Sequence, residues 1–237
     1  MATNRRKART EKDGASTQGS IRPGPKPTLT RQTIVQTAID IADSEGIEAV
    51  TMQRLGEAFG FTPMSVYRYV HNKAEVVEAM IDAALGAPPP KKRGHDWRSL
   101  LEEWARGILA CFARHPWTLA ATSRLRTMGP NELAWTDRAL SALASAGLTP
   151  GDQHGALLAL VGHVRGVAQF SIHVPGARPG IGLAEWRSAA AATAGADLSA
   201  LRAALEAGAF AGRDGGLAPG LRIVFEGIAA VGRRRNA

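Results

Sequence analysis

The chain has 237 residues, 45% of them apolar, enough for a real core in one large domain or in a small and a medium one. Its formal net charge of +8 favours a polyanionic partner, nucleic acid or an anionic membrane surface, with a merely solubilising surface as the alternative. A single cysteine, Cys111, excludes an internal disulfide, and no apolar run is long enough to span a bilayer. The chain is therefore expected to be soluble and cytoplasmic, without a membrane partner.

Residues 1–28 read as a disordered basic tail. Arg5, Arg6, Lys7, Arg9, Lys12, Arg22 and Lys26 outnumber Glu11 and Asp13, and Ile21 is its one branched aliphatic residue. Such a tail can follow phosphates or enter a minor groove; a solvated tail is the other reading. Structure is expected from Thr30, an N-cap, through Ile34, Val35, Ala38, Ile39 and Ala42, with Gly46 as the stop. Thr51 caps a short second helix ending at Gly60. Thr62 caps a third, with Pro63 at its first position and an end near Val70. Asn72, with Glu75 as capping-box partner, opens a fourth helix running to Leu85.

Gly86 to Gly94 contains three successive prolines and a basic cluster, which no helix crosses. It divides a domain at residues 29–86 from one at 96–237, with 87–95 as linker. Further helices are expected at Trp97–Arg114, Pro116–Arg126, Pro130–Ala146 and Pro150–His173. Leu183–Ala194 and Leu198–Ala209 form one interrupted helix or two, and Pro219–Arg233 is the last. No alternating apolar pattern is sustained, so the fold class is all-α.

The stretch Thr51 to Val70 is the most informative. Two short capped helices joined through Phe59-Gly60-Phe61 make a sharp corner, as a helix-turn-helix requires. Its second helix carries Thr62, Pro63, Met64 and Ser65 in the first turn, then Tyr67, Arg68 and Tyr69. No acid lies between Thr62 and His71, which suits a phosphate-lined groove. A capped corner in an ordinary bundle, with both tyrosines half-buried, is the competing interpretation.

The runs GIEAVTMQRLGEAFG, Gly46 to Gly60, and SVYRYVHNK, Ser65 to Lys73, resemble the DNA-binding domain of the tetracycline-repressor (TetR) family. The resemblance is strong over residues 29–85. It continues more weakly through His115-Pro116-Trp117 and Gly129-Pro130-Asn131 to Gly147-Leu148, which are similar to the ligand-binding domain of the tetracycline-repressor subgroup. It implies a three-helix helix-turn-helix domain followed by a helical ligand-binding and dimerisation domain. It also implies a homodimer, a palindromic double-stranded DNA operator and release by a small-molecule effector. Carried over by position, Thr51, Tyr67 and Lys73 would hold phosphates and Gln53 would sit at the groove edge. Thr62, Pro63, Met64 and Ser65 would face bases, and Arg68 would reach a base or phosphate. Pro63 and Met64 cannot donate side-chain hydrogen bonds, so reading would lean on thymine methyls and Arg68. The subgroup further implies a dimer interface built by the helices starting near Pro150 and Pro219.

A cavity between helices of the second domain is expected to take the effector. Trp104, Phe112, Trp117, Met128, Trp135 and Phe170 are candidate lining residues, with His163 as a polar handle. No histidine pair has the i, i+4 spacing of a helical metal site, and no nucleophile elbow, phosphate loop or dinucleotide fingerprint is present. Neither metal, cofactor nor enzymatic activity is expected.

Overall fold

The computed structural model of the chain describes residues 29–90, 94–172, 183–193, 197–209 and 215–236. The tail at 1–28, the Lys91–Arg93 cluster and His173 lie outside the described residues. Eleven α-helices and one 3-10 turn (Ile47–Ala49) make up the described structure, with no strand among those residues. The helices are α1 Arg31–Glu45, α2 Met52–Phe59, α3 Pro63–Val66, α4 Lys73–Leu85, α5 Trp97–Arg114 and α6 Trp117–Ala121. They continue as α7 Pro130–Ser145, α8 Pro150–Ser171, α9 Leu183–Ala192, α10 Ser199–Glu206 and α11 Leu217–Asn236.

Two apolar cores organise them. In the first, Ile34, Ala38, Leu55, Val66, Val70, Val76 and Met80 bury one face each of α1 to α4. In the second, Leu101, Trp104, Leu143, Leu160, Val164, Leu217 and Leu221 join α5, α7, α8 and α11. Cys111 and Trp117 belong by sequence to the second half but are buried in the first core. The two halves are therefore packed together, not strung on a linker.

The sharp α2–α3 corner depends on two glycines. Gly60 is left-handed (φ 71°), and its N–H and that of Phe61 close the helix end on Glu57 and Gly56 carbonyls at 3.0 and 2.9 Å. A Cβ on Gly56 would come within 2.8 Å of the Phe61 carbonyl, so α3 can approach only because it is absent.

Several helix ends differ from the sequence reading. Helix α3 has four residues, with Tyr67 to Tyr69 continuing as a turn on Val66. The Thr62 hydroxyl does not cap it but lies 3.4 Å from the Ser65 hydroxyl. Asn72 caps α4 through the Glu75 N–H at 2.9 Å, yet the Glu75 carboxylate returns to the His71 N–H at 2.8 Å, one residue earlier than a capping box predicts. Helix α6 stops at Ala121 instead of Arg126. Thr122 and Ser123 donate back to the Thr118 and Leu119 carbonyls, and the Arg165 guanidinium takes the Leu119 carbonyl at 2.8 Å. Helix α11 starts at Leu217, and α9 and α10 are separate.

Candidate nucleic-acid interface and internal cavity

The helix-turn-helix turns Val66 and Val70 inward, both fully buried, and this fixes what faces out. Met64 is 72% exposed, Tyr67 45% and Tyr69 43%, with Phe61 beside them in the same stretch of chain. Thr62, Pro63 and Arg68 are exposed, while Ser65 is half-buried. The tyrosine hydroxyls, Arg68 and Lys73 find no side-chain partner among the described residues. Nearby cations are already paired: Arg54 with Glu45 at 2.7 Å and Arg31 with Glu75 at 3.2 Å. The Glu75 carboxyl accepts from the His71 backbone and imidazole and is held below the usual carboxylate range. Thr51 accepts from the Arg54 N–H at 3.0 Å and keeps its own proton to donate, and Gln53 donates to Glu57 at 3.0 Å. All ten residues expected to contact DNA thus fall within or beside α2, α3 and the start of α4.

The second site is a cavity of about 570 Å³ between α4, α5, α6, α7 and α8, inside the usual range for ligand pockets. Of the seven residues expected to line it, Trp104, Phe112, Met128 and Trp135 do so. The other three stand elsewhere. Trp117 is buried in the first core and donates from Nε1 to Asp43 at 2.7 Å. His163 donates from Nε2 to the Leu217 carbonyl at 3.0 Å, bracing α8 on α11. Phe170 is exposed on the outer side of α8.

Sequence reasoning missed the aliphatic wall of Ile81, Leu85, Ile108 and Val161 and the polar groups of Arg126, Glu132, Thr136, Arg165 and Gln169. Arg126 and Glu132 form a buried fork-to-fork pair, Nη1 donating to Oε2 at 2.6 Å. Arg165, Val161 and Gln169 lie four apart along α8, the spacing of one helix face, which is the signal that could have grouped them. Cys111 is also in the wall, and burial pushes its thiol up to about 11. No group of three His, Cys, Asp or Glu side chains suited to a metal occurs among the described residues, and none of their helices is long and apolar enough to cross a membrane.

Carboxylates of the first half grip the second next to this cavity. Asp82 on α4 accepts from the Asn131 and Glu132 N–H groups at 2.8 and 3.1 Å, capping α7 from another helix. Asp43 on α1 accepts from Trp117 and lies 2.9 Å from His115 Nδ1, so the imidazole carries its proton on that nitrogen. Trp135 Nε1 donates to the Gly86 carbonyl at 2.9 Å.

A helix-turn-helix with an acid-free outer face, clamped to a helical domain around a ligand-sized cavity, defines a class of two-part DNA-binding folds. A family model described as tetracyclin repressor-like, C-terminal domain, matches residues 89–231, and that of the bacterial regulatory proteins, tetR family, matches residues 34–80. The chain belongs to the tetracycline-repressor family. The transcriptional repressor DrrR1 of Streptomyces coeruleorubidus is 34% identical over 170 residues, covering 70% of this chain and 63% of that protein. The chain thus spans about three fifths of the length of the first curated relatives it matches, at 63%, 60% and 57%. Among solved structures, apo ActR of Streptomyces coelicolor superposes with a TM-score of 0.74 at 22% identity, covering 87% of this chain and 98% of that one. ActR with actinorhodin gives 0.71 at 24% identity, over 87% and 99% of the two chains. BioQ bound to its double-stranded DNA operator gives 0.57 at 18%, over 86% and 99%. These structural likenesses establish the fold.

Proposed function

We propose that the protein is a homodimeric transcription regulator, a repressor that a small-molecule effector lifts from a palindromic operator. The observation that carries this reading is the outward face of the helix-turn-helix. Large side chains that a bundle would bury stand exposed there beside Arg68 and Lys73, which have no partner among the described residues, with no acid from Thr62 to Tyr69. In this reading Thr51, Tyr67 and Lys73 hold phosphates. Thr62 to Ser65 and Arg68 meet base edges, and Gln53 and Tyr69 flank them. Support comes from DrrR1, a transcriptional repressor, from BioQ with its operator and from ActR with actinorhodin.

The domains follow the division at residues 29–86 and 96–237, and α8 and α11 supply the dimer interface. Two recognition helices must then reach major grooves about 34–36 Å apart. The effector acts by favouring a state that no longer fits that spacing; equal affinity for both states would change nothing.

The test is a gel shift against DNA upstream of the protein's own gene with excess random competitor, using the intact chain and Tyr67→Phe. The expected result is one discrete band, weakened about tenfold by loss of the hydroxyl from both half-sites, with unfolding free energy changed by less than about 0.5 kcal/mol. A shift that competitor DNA abolishes, or an unchanged affinity in Tyr67→Phe, would contradict the specific docking described.

A further inference from the structure

The internal cavity carries charge that is not balanced within its own wall. Its residues that are charged at neutral pH are Arg126, Glu132 and Arg165, a net charge of +1. Arg126 spends both terminal nitrogens on Glu132, and its Nε is buried with no hydrogen-bond partner among the described residues. Arg165 meets no carboxylate among the described residues. Its bonds go to neutral acceptors: the Thr122 hydroxyl at 2.6 Å, the Leu119 carbonyl at 2.8 Å and the Ser123 hydroxyl at 2.7 Å. A guanidinium has five N–H hydrogens, so these bonds leave two unassigned. Burial, and after it the nearby Arg126, lower the pKa of Arg165. Two like charges thus share one partly desolvated space, and a buried donor without an acceptor is costly.

The remaining wall combines aromatic and aliphatic surface with the neutral polar side chains of Thr118, Thr122, Ser123, Thr136 and Gln169. Trp104 Nε1 donates to the Trp135 carbonyl at 3.0 Å and Trp135 Nε1 to the Gly86 carbonyl at 2.9 Å. Both indole donors are consumed, so with Phe112 these residues offer ring surface only. Recognition of a negative charge falls to the arginines.

We propose that the effector is a monoanionic, largely aromatic molecule whose acidic oxygen pairs with the unassigned N–H hydrogens of Arg165, with Arg126 adding to the positive charge of the site. This rests on the reading above that the cavity takes the effector, and it adds the effector's charge class. The competing role for Arg165 is a brace on the end of α6, which its three bonds there would serve. A brace is indifferent to ligand charge.

The experiment uses two fluorescent probes with the same phenylnaphthylamine skeleton, 8-anilinonaphthalene-1-sulfonate and the uncharged N-phenyl-1-naphthylamine. Both are titrated into the full chain at physiological salt. The sulfonate is expected to bind at least about tenfold more tightly, as a charge-assisted contact gives. Arg165→Met should bring the two affinities within about twofold while leaving the uncharged probe unchanged, and Arg165→Lys should keep the preference for the anion. Ile108→Trp, which fills the cavity, should abolish binding of both probes and so locate them. Equal affinities in the intact protein, an unchanged ratio in Arg165→Met, or sulfonate binding that survives Ile108→Trp would each overturn the proposal. Should Arg165→Met not fold, the ratio in the intact protein and the Ile108→Trp result decide alone. A gel shift on the same preparation keeps the two readings apart. Specific DNA binding without anion preference refutes this inference only, and anion preference without DNA binding refutes the regulator reading only.

Discussion

Cys111 occupies the cavity wall with a thiol that burial has pushed from 9.0 to about 11. Only the thiolate is nucleophilic, so at pH 8 the reactive fraction is lower by about two orders of magnitude than in an unperturbed thiol. Alkylation by iodoacetamide in the native protein should therefore be on the order of a hundredfold slower than in the denatured chain. A cavity ligand should slow it further. Labelling at the denatured rate would mean that the wall opens freely to water. The lone cysteine read in the sequence as unable to form an internal disulfide, not as a cavity residue. The same holds for the aromatics. Trp104 and Trp135 line the cavity whereas Trp117 fills the other core, because side-chain size specifies burial and carries no address. Arg126, Glu132 and Arg165 were illegible for a related reason. Their meeting depends on a loop and two helices converging, and the one local signal, the spacing of Val161, Arg165 and Gln169 along α8, does not point to Arg126 or Glu132.

Capping chemistry made most helices readable. Thr30, Thr51, Asn72, Asp96 and Thr149 each accept a backbone N–H three residues on, and the glycines at 46, 60 and 86 close the preceding helices. The exception, α6, ends early because Arg165, 43 residues beyond Thr122, takes up its last acceptors. The start of α7 is likewise set from outside, by Asp82 on α4. That contact joins the helix-turn-helix half to the turn that carries Glu132, the partner of Arg126 in the cavity. An anion held at Arg165 beside this pair therefore acts next to the end of α7 that α4 holds. Asp82→Ala should cost about 1–2 kcal/mol in stability, since the Asn131 and Glu132 N–H groups lose their acceptor. It should leave affinity for 8-anilinonaphthalene-1-sulfonate within about twofold, yet shrink the factor by which this probe weakens DNA binding. Coupling of that kind is typically about 5- to 150-fold. Full coupling in the variant would move the transmission route to Asp43, His115 and Trp117.

At the scale of the molecule, α8 and α11 leave an apolar surface that the described residues do not cover. Leu158 is 58% exposed and Ile223 70%, Phe170 and Val231 stand out beside them, and Gly155, Gly162, Gly166 and Gly227 have open space where a Cβ would be. A groove of about 400 Å³ runs between the helices past Leu148, Ala156, Val224 and Ile228. Large side chains alternating with gaps along two adjacent helices are what a second copy can interlock with. In the sequence Gly155, Ala156, Gly162 and Gly166 read as small residues allowing close packing and Val224, Ile228 and Val231 as an apolar stripe, with packing inside one subunit as the lesser account. Their exposure favours the outer role. Leu158→Glu places a charge on this face without touching either core. If α8 and α11 form the proposed interface, sedimentation equilibrium should then return the mass of one chain at concentrations where the unaltered protein returns that of two. Operator affinity should fall by at least about a hundredfold, because two half-sites are no longer held by one particle. The melting curve of the monomer should show a folded protein, since Leu158 contributes little to its own subunit's core. A dimer that persists in Leu158→Glu would assign the interface to another surface and leave this face for a different contact.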